Sequence, residues 1–580
     1  GPYLTRCMIM TVSAVNIFHK SDRFRIDLGS CRFTSQFADI YNCRLLTARP
    51  ALEVSACKRW GASKSAGASL PLRSLADIQT NEECVIIGTL YKEMGLKPSV
   101  IRQLAELEQG GSIKSSAVPL FADGLSKPRL TTTEDQIFLE DEVQRIALSA
   151  ADSDFFEDCR LIAAQLVTGV VVALRGQEFE ANQGIFTVSD ALFLEPGPEH
   201  PITTSSAADL TYANFSALGP CVAFVSGLGF VGTGGDVSES HSMALCLLGD
   251  WLRGNIMIGG TFPPVVKLMI LGDSIRPLGV TEGETVGLIQ QARYLTRKTD
   301  ADSVTAMHLF DSWLANLPLG PGAIDATATV RNGLSVDILP GPSDCGSHML
   351  PQQPLHAAIF PEAVRRAGGA GTGALRSTTN PVYTNICGRT ILATSGQAIA
   401  DLLRYTELSD ALDCMEATLH WGHLAPTCPD TLFSYPLADR DLLVLRTQSE
   451  KVVSGNQTTR EREQGVSLPS PDYPDVYVVG NQVSAAWRRA SLSAWSLRAT
   501  AAAAAGSTEP KGALMISVPR FDRTYTLVLL ELQTFRCLPV RFDLTDLDQE
   551  MRVEKEEEEG DQVQEDGGTS MDCIDSSVVE

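Results

Sequence analysis

A chain of 580 residues has the length of two or three domains, or of one domain with large insertions. With 44% hydrophobic and 20% charged residues and no apolar run approaching 18, its composition is that of a soluble globular protein and excludes the disordered and helical membrane-spanning classes. The net charge of -23 is uneven: residues 543–580 hold 15 acids against Arg552 and Lys555, which is -13 and leaves -10 for residues 1–542, so the overall field argues against a stand-alone nucleic-acid binder.

In chain order, Phe33, Phe37, Ile40, Tyr41 and Leu45 recur at helical spacing and predict an early amphipathic helix. Residues 84–92 predict a strand, Pro98 opens a short helix through Leu104, and 109–130 reads as a loop. Runs at 166–174 and 184–193 predict strands around a polar 177–183 turn, so a small β-barrel fits residues 80–200. After a boundary at 196–201 the pattern turns α/β, with buried strands at 221–225, 265–271 and 336–339. Helices are expected at 238–252 and at 299–317, the second capped by Thr299 or Asp300. A hairpin around 387–389, helices at 397–407 and 409–421, and strands at 476–479, 513–518 and 525–532 follow. The stretches 366–376, 447–475 and 490–512 read as mobile surface insertions, and the acidic tail, with Glu556–Glu559 unbroken, as disordered.

Fourteen cysteines are scattered, and none forms a Cys-x-x-Cys pair, which argues against zinc ribbons and dithiol redox sites and for a reducing compartment. No secretory signal is expected, because the first twenty residues lack a compact apolar block before a small-residue cleavage site. Gly227-Leu228-Gly229-Phe230-Val231-Gly232 spells a dinucleotide fingerprint, but the next strand ends at Asp273, twice too far on for the ribose-binding acid. Gly272-Asp273-Ser274-Ile275 resembles a serine-hydrolase block, yet none of the eight histidines follows an aspartate at the spacing its base requires.

A third reading is a two-metal phosphoesterase, in which acids and imidazoles at strand ends hold cations that activate water. The calcineurin-like pattern meets Ser226-Gly227-Leu228 at its first ligand pair and Arg276 where its second motif closes on aspartate. Gly341-Pro342-Ser343-Asp344 stands for Gly-Asn-His-Asp, and Gly422-His423-Leu424-Ala425 keeps one histidine of two. Asp273, Asp344 and His423 are what remains for an active metal-dependent phosphoesterase, the alternative function, and that is too few for two cations. His420 and His423 read as packing histidines.

Distinctive blocks include Gly88-Thr89-Leu90-Tyr91-Lys92, Leu166-Val167-Thr168-Gly169 and Val225-Ser226-Gly227-Leu228-Gly229. They continue with Ala292-Arg293-Tyr294-Leu295-Thr296, Leu350-Pro351-Gln352-Gln353-Pro354-Leu355-His356, Thr394-Ser395-Gly396-Gln397 and Ala425-Pro426-Thr427-Cys428-Pro429-Asp430. In this order, over about residues 33 to 542, they resemble the B-subunit family of DNA polymerase delta. The resemblance implies an α+β architecture: an OB-fold β-barrel joined to an inactivated calcineurin-like phosphodiesterase domain, with a short N-terminal helical segment; the stretches 366–376, 447–475 and 490–512 and the long acidic tail depart from the family's usual pattern. The divisions expected are 1–50, 51–205, 206–545 and 546–580. It further implies a nuclear, non-catalytic scaffold in DNA replication, repair and translesion synthesis, without catalytic, cofactor or metal residues. Its implied partners are the C-terminal metal-binding domain of the catalytic subunit, a third subunit carrying a sliding-clamp motif, and the catalytic subunit of DNA polymerase zeta. Because the barrel strands are not rich in paired aromatics with Arg or Lys, the barrel is assigned to partner contact, with DNA contact at most indirect.

Overall fold

The structure, a computed structural model, describes residues 23–31, 33–34, 38–64, 70–97, 129–132, 134–150, 164–194, 219–232, 238–256, 265–276, 302–320, 333–369, 372–445, 473–490 and 512–542. The short helix after Pro98, the 196–201 boundary, the block at 292–296, the cap at 299–300, the acidic tail and most of two insertions lie outside these residues.

Helix α1 (Ala38–Trp60) turns Leu45, Ala48, Leu52 and Ala56 onto a barrel of β1 (Leu72–Arg73), β2 (Cys84–Glu93), β3 (Gln136–Glu140), β4 (Arg145–Ala150), β5 (Val171–Glu178) and β6 (Ile185–Leu192). The strand order is β1-β2-β3-β4-β6-β5, and β2 pairs with β5 to close the barrel while β4 and β6 run parallel. That closure leaves β1 as the one outlying strand of the described sheet. Complete burial of Leu52 between α1 and the barrel contributes about 1.5–3 kcal/mol.

Three expectations change here. Phe33 is 60% exposed in a turn before α1, and Phe37 lies outside the described residues, so the buried stripe runs Ile40, Leu45, Ala48, Leu52 instead. The division at residue 50 falls inside α1, whose Pro50 does not end the helix. Residues 166–170 are an irregular lead-in to β5, because Gly169 adopts a positive φ of 95° there.

The second half stacks two sheets between two layers of helices. One sheet has the order β10-β9-β8-β7-β16-β17, built from β7 (Cys221–Val225), β8 (Val265–Leu271), β9 (Ser335–Leu339), β10 (Leu375–Ser377), β16 (Thr526–Glu531) and β17 (Cys537–Arg541). The other has the order β11-β12-β13-β15-β14, built from β11 (Val382–Ile386), β12 (Arg389–Thr394), β13 (Val476–Gln482), β14 (Ala486–Arg489) and β15 (Leu514–Pro519). Phe224, Met269 and Leu339 of the first meet Val382, Val478 and Ile516 of the second in the inter-sheet core. Helices α2 (Glu239–Arg253), α3 (Asp302–Ala315) and α4 (Pro361–Arg366) cover the first sheet, and α5 (Gln397–Tyr405) and α6 (Ala411–Trp421) the second. Covered on both faces, β7 and β8 are buried at every residue.

The stretch 366–376 is corrected in part: β10 pairs in parallel with β9, and Arg376 reaches the buried Asp337 at 2.6 Å, where Lys267 also meets it at 2.9 Å. Barrel and sandwich share one apolar core, in which Leu166 and Phe193 pack with Leu402, Tyr405 and Leu424. Phe24 stacks on Tyr383 at 5.7 Å, so part of the N-terminal segment also belongs to the sandwich.

Candidate functional site

Parallel strands aim their C-terminal ends, and the loops that follow, at one rim of the sandwich, the place where open α/β sheets hold ligands. Ser226 follows β7, Asp273 follows β8, Asp344 follows β9, Ser395 follows β12, Asn481 lies in β13, and Arg520 and Asp522 follow β15. Hydrogen bonds knit these loops together. Ser226 Oγ donates to Pro519 O at 2.9 Å and accepts from Asn481 N at 2.8 Å, while Asn481 Nδ2 donates to Ser395 O at 2.9 Å and Leu271 O at 3.2 Å.

The acids at this rim are occupied by the chain's own groups. Asp273 accepts from Ser343 N and Oγ through Oδ1, and from Arg520 Nη1 at 2.8 Å through Oδ2. Arg520 also donates to Asp522, at 3.1 Å from both Nε and Nη2, and Arg276 Nη2 reaches the same carboxylate at 2.7 Å. Burial opposes the charge of Asp522, but Arg520 and Arg276 hold its carboxyl below the usual range. Asp344 accepts from the backbone N–H groups of Gly341, Ser274 and Ile275. Its burial, and Asp273 beside it, nevertheless push its pKa up to about 7. A guanidinium therefore supplies positive charge between Asp273 and Asp522, and it offers no lone pair, no bound water and no nucleophile.

Next to this cluster lies a neutral one. Asn380 Nδ2 donates to Gln352 Oε1, Ser395 Oγ and Gln397 Oε1 at 2.7, 2.6 and 3.0 Å, and Gln352 Nε2 donates to Gly341 O at 3.1 Å. Such a network satisfies buried amides and positions loops without acid–base chemistry. Among the described residues no three His, Cys, Asp or Glu side chains come together as a metal cage.

Asp273 and Asp344 are thus brought together, and His423 is not. His423 lies past α6, where its Nε2 meets Asp441 Oδ2 at 2.9 Å and its Nδ1 accepts from Ala425 N. An Nδ1 that accepts leaves the proton on Nε2, so the ring is neutral and donates to Asp441. Burial first, and Arg44 second, push the His423 pKa down to about 4. Arg44 of α1 completes this cluster: Nε donates to Asp441 Oδ2 at 2.8 Å, Nη1 to Gly169 O and Pro426 O, and Nη2 to Cys428 O at 2.7 Å. Gly169 cannot change here, since a Cβ would stand 2.0 Å from Pro426 O. This cluster is the joint between barrel and sandwich. His420 is buried within α6 and is likewise remote from the rim.

The glycine fingerprint serves packing. The N–H groups of Gly227, Gly229 and Phe230 donate to the carbonyls of Gly272, Asp273 and Ser274, leaving none of the three for a phosphate. A Cβ on Gly229 would meet Asp522 at 2.9 Å. Ser274 is 1% exposed, and its Oγ has no hydrogen-bond partner among the described residues, so no base activates it.

Sequence reasoning missed Arg520, Asp522, Arg44 and Asp441. The one usable signal was Arg44, a charged residue on the apolar stripe of α1. It also missed an aromatic pair on the barrel: Tyr91 and Phe138 lie 6.4 Å apart, with the Arg145 guanidinium 5.5 and 5.1 Å from their rings.

Residues 36–191 match the family model described as the DNA polymerase delta subunit OB-fold domain, and residues 222–460 match that of the DNA polymerase alpha/epsilon B subunit. The chain is 31% identical to the DNA polymerase delta small subunit of Arabidopsis thaliana, over 75% of this chain and 84% of that one. It belongs to the DNA polymerase delta small-subunit family. DNA polymerase delta subunit 2 of Drosophila melanogaster is 29% identical over 88% of this chain and 94% of its own length. The small subunit of Saccharomyces cerevisiae is 26% identical over 91% and 94%. The barrel is an OB-fold domain, and the chain is a non-catalytic accessory subunit of a replicative DNA polymerase. Nothing in these likenesses favours the phosphoesterase alternative.

Proposed function

We propose that the chain is the nuclear scaffold of DNA polymerase delta, joining the C-terminal metal-binding domain of the catalytic subunit to the third, clamp-binding subunit. The same surfaces then serve the catalytic subunit of DNA polymerase zeta in translesion synthesis. The two-sheet half is read as a calcineurin-like phosphodiesterase frame without its chemistry, the barrel with α1 as a docking module, and DNA contact as indirect. What supports this is the Arg520 guanidinium set between Asp273 and Asp522: a strand-end rim closed by the chain's own cation keeps a rigid surface and has no position for an attacking water.

Co-expression with the catalytic and third subunits, followed by gel filtration at gentle salt, tests it. One peak holding all three polypeptides is expected, and elution of this chain alone overturns the proposal. Phosphodiester turnover with added manganese is expected to equal that of an Asp273→Ala control. Turnover above that control would revive the phosphoesterase reading.

A further inference from the structure

Successive residues of a strand point to opposite faces, so with Leu90, Leu139 and Ile146 turned into the core, their neighbours on β2, β3 and β4 face outward. Cross-strand pairing sets Tyr91 beside Phe138, Phe138 beside Ala147 and Ala147 beside Ile185, an apolar strip across four strands. Helix α1 covers another part of the outer wall, where it meets Val85, Ile87, Val171 and Ala173, and no residue of the strip belongs to that contact. Tyr91, Phe138 and Ala147 are half-buried, and Ile185 is 36% exposed. With neighbouring strands about 4.8 Å apart the strip is roughly 15 Å long, the span of about four residues of extended chain.

The surroundings of the strip suit a cation. Arg145 shows the mode from within the chain: its guanidinium lies 5.5 Å from the Tyr91 ring and 5.1 Å from the Phe138 ring, with Glu140 at 3.7 Å. Aromatic faces attract positive charge, and a carboxylate beside them adds to it. Glu93 repeats that carboxylate on the other flank, two residues beyond Tyr91 on the same face of β2, exposed and in no ion pair among the described residues. Outward-facing β2–β4 thus offers one base, Arg145, already beside Glu140, against the two acids Glu93 and Glu140. OB barrels hold oligonucleotides on such a face with bases that neutralise phosphate, and here the balance of charge is reversed. We infer that the strip receives an extended, lysine- or arginine-bearing segment of another polymerase subunit, with apolar side chains on Phe138 and Ile185 and a cation between Tyr91 and Glu93. This rests on the scaffold reading above and adds to it the place and the chemistry of one docking contact.

The test compares the full chain alone with the co-expressed three-subunit complex by hydroxyl-radical footprinting. Oxidation of Tyr91 and Phe138 is expected to fall about fivefold on assembly, as expected of aromatic anchors that lose their water. Glu93→Lys with Glu140→Lys is expected to weaken assembly about tenfold at about 50 mM salt and less than about twofold at about 500 mM, because charges at an interface rim act through a screened field. Should this pair fail the melting control, Glu93→Lys alone is used, with about a threefold weakening expected at low salt. A wild-type chain that elutes without the other subunits removes the scaffold reading and the inference with it. A complex that forms while both rings oxidise as in the free chain overturns the inference alone, and so does a charge-reversed chain that assembles with unchanged affinity at low salt. Protection of the two rings by a 20-nucleotide oligothymidylate, with no protein partner present, would assign the strip to nucleic acid and overturn the inference as well.

Discussion

Arg44 and Arg520 are two buried arginines in charge clusters, and they do different work. Arg44, 1% exposed, donates to one carboxylate and to three backbone carbonyls drawn from both the barrel and the sandwich. Arg520 donates to the carboxylate of Asp273, in the loop after β8, and to that of Asp522, in the short helical turn Phe521–Thr524 that follows β15. Carbonyl partners are fixed in the backbone, so Arg44 sets the relative position of two domains; carboxylate partners are charges, so Arg520 neutralises a rim. The first cluster is a joint and the second a closure. A chain that keeps both has invested its buried polar groups in shape.

Breaking the joint should cost most. Arg44→Ala leaves Asp441 buried beside a neutral imidazole and three carbonyls without their donor. A loss of about 3–5 kcal/mol is expected, read as a fall in the urea midpoint. A loss below about 1 kcal/mol would show that water replaces the guanidinium.

Acid separates the two regions by sign. His423 titrates at about 4 in the fold against an ordinary 6.5, so its contribution is complete above pH 6.5 and is lost as pH falls toward 4. Between pH 7 and pH 5 that is about 2 kcal/mol, and His423→Gln should flatten the slope by that amount. Asp441, held below the ordinary carboxylate value despite its burial by His423 and Arg44, adds a second loss at lower pH. Asp344 acts in the opposite sense, since a carboxyl raised to about 7 gives a stability that grows as pH falls from 7 toward 3.8.

Opening the closure should cost less than opening the joint. In Arg520→Ala, Asp522 keeps Arg276 and Asp273 keeps Ser343, so a loss of about 1–2 kcal/mol in denaturant is expected. Equality with Arg44→Ala would erase the distinction drawn above. The smallest effect belongs to Arg49→Ala, which removes a solvent-facing pair between α1 and Glu142 on the barrel and should cost under about 1 kcal/mol, less still at high salt.

What was legible in the sequence follows burial. Strands β7 and β8 are central and covered on both faces, so they read as unbroken apolar runs with their bounds correct. Strands β10 (LRS), β14 (AWRR) and β17 (CLPVR) went unread, because edge strands carry arginine and proline where one side faces water. The early helix was read too far upstream: Ile40 and Leu45 of its stripe are buried, but Phe33 is 60% exposed in a turn before α1, and the buried face runs on through Ala48 and Leu52 with Arg44 pointing in. At the rim, Asp273 and Asp344 followed from short glycine-containing motifs. Arg520 could not, for it stands 247 residues from Asp273 in a loop that has no spacing rule. The blocks at 166–169 and 425–430 were visible as matches, and what they do emerged only when Gly169, Pro426 and Cys428 converged on one guanidinium.

The bond from Arg44 to Asp441 spans 397 residues of chain. A ribosome adding about 5–20 residues each second needs roughly 20–80 s to travel that distance. During translation the barrel and its helix therefore emerge long before their anchor exists. Strand β7 waits similarly for β16, whose Val528 pairs with Phe224. Nascent copies stalled before residue 441 should expose an unsealed barrel face, making the protein a client for chaperones early in its synthesis.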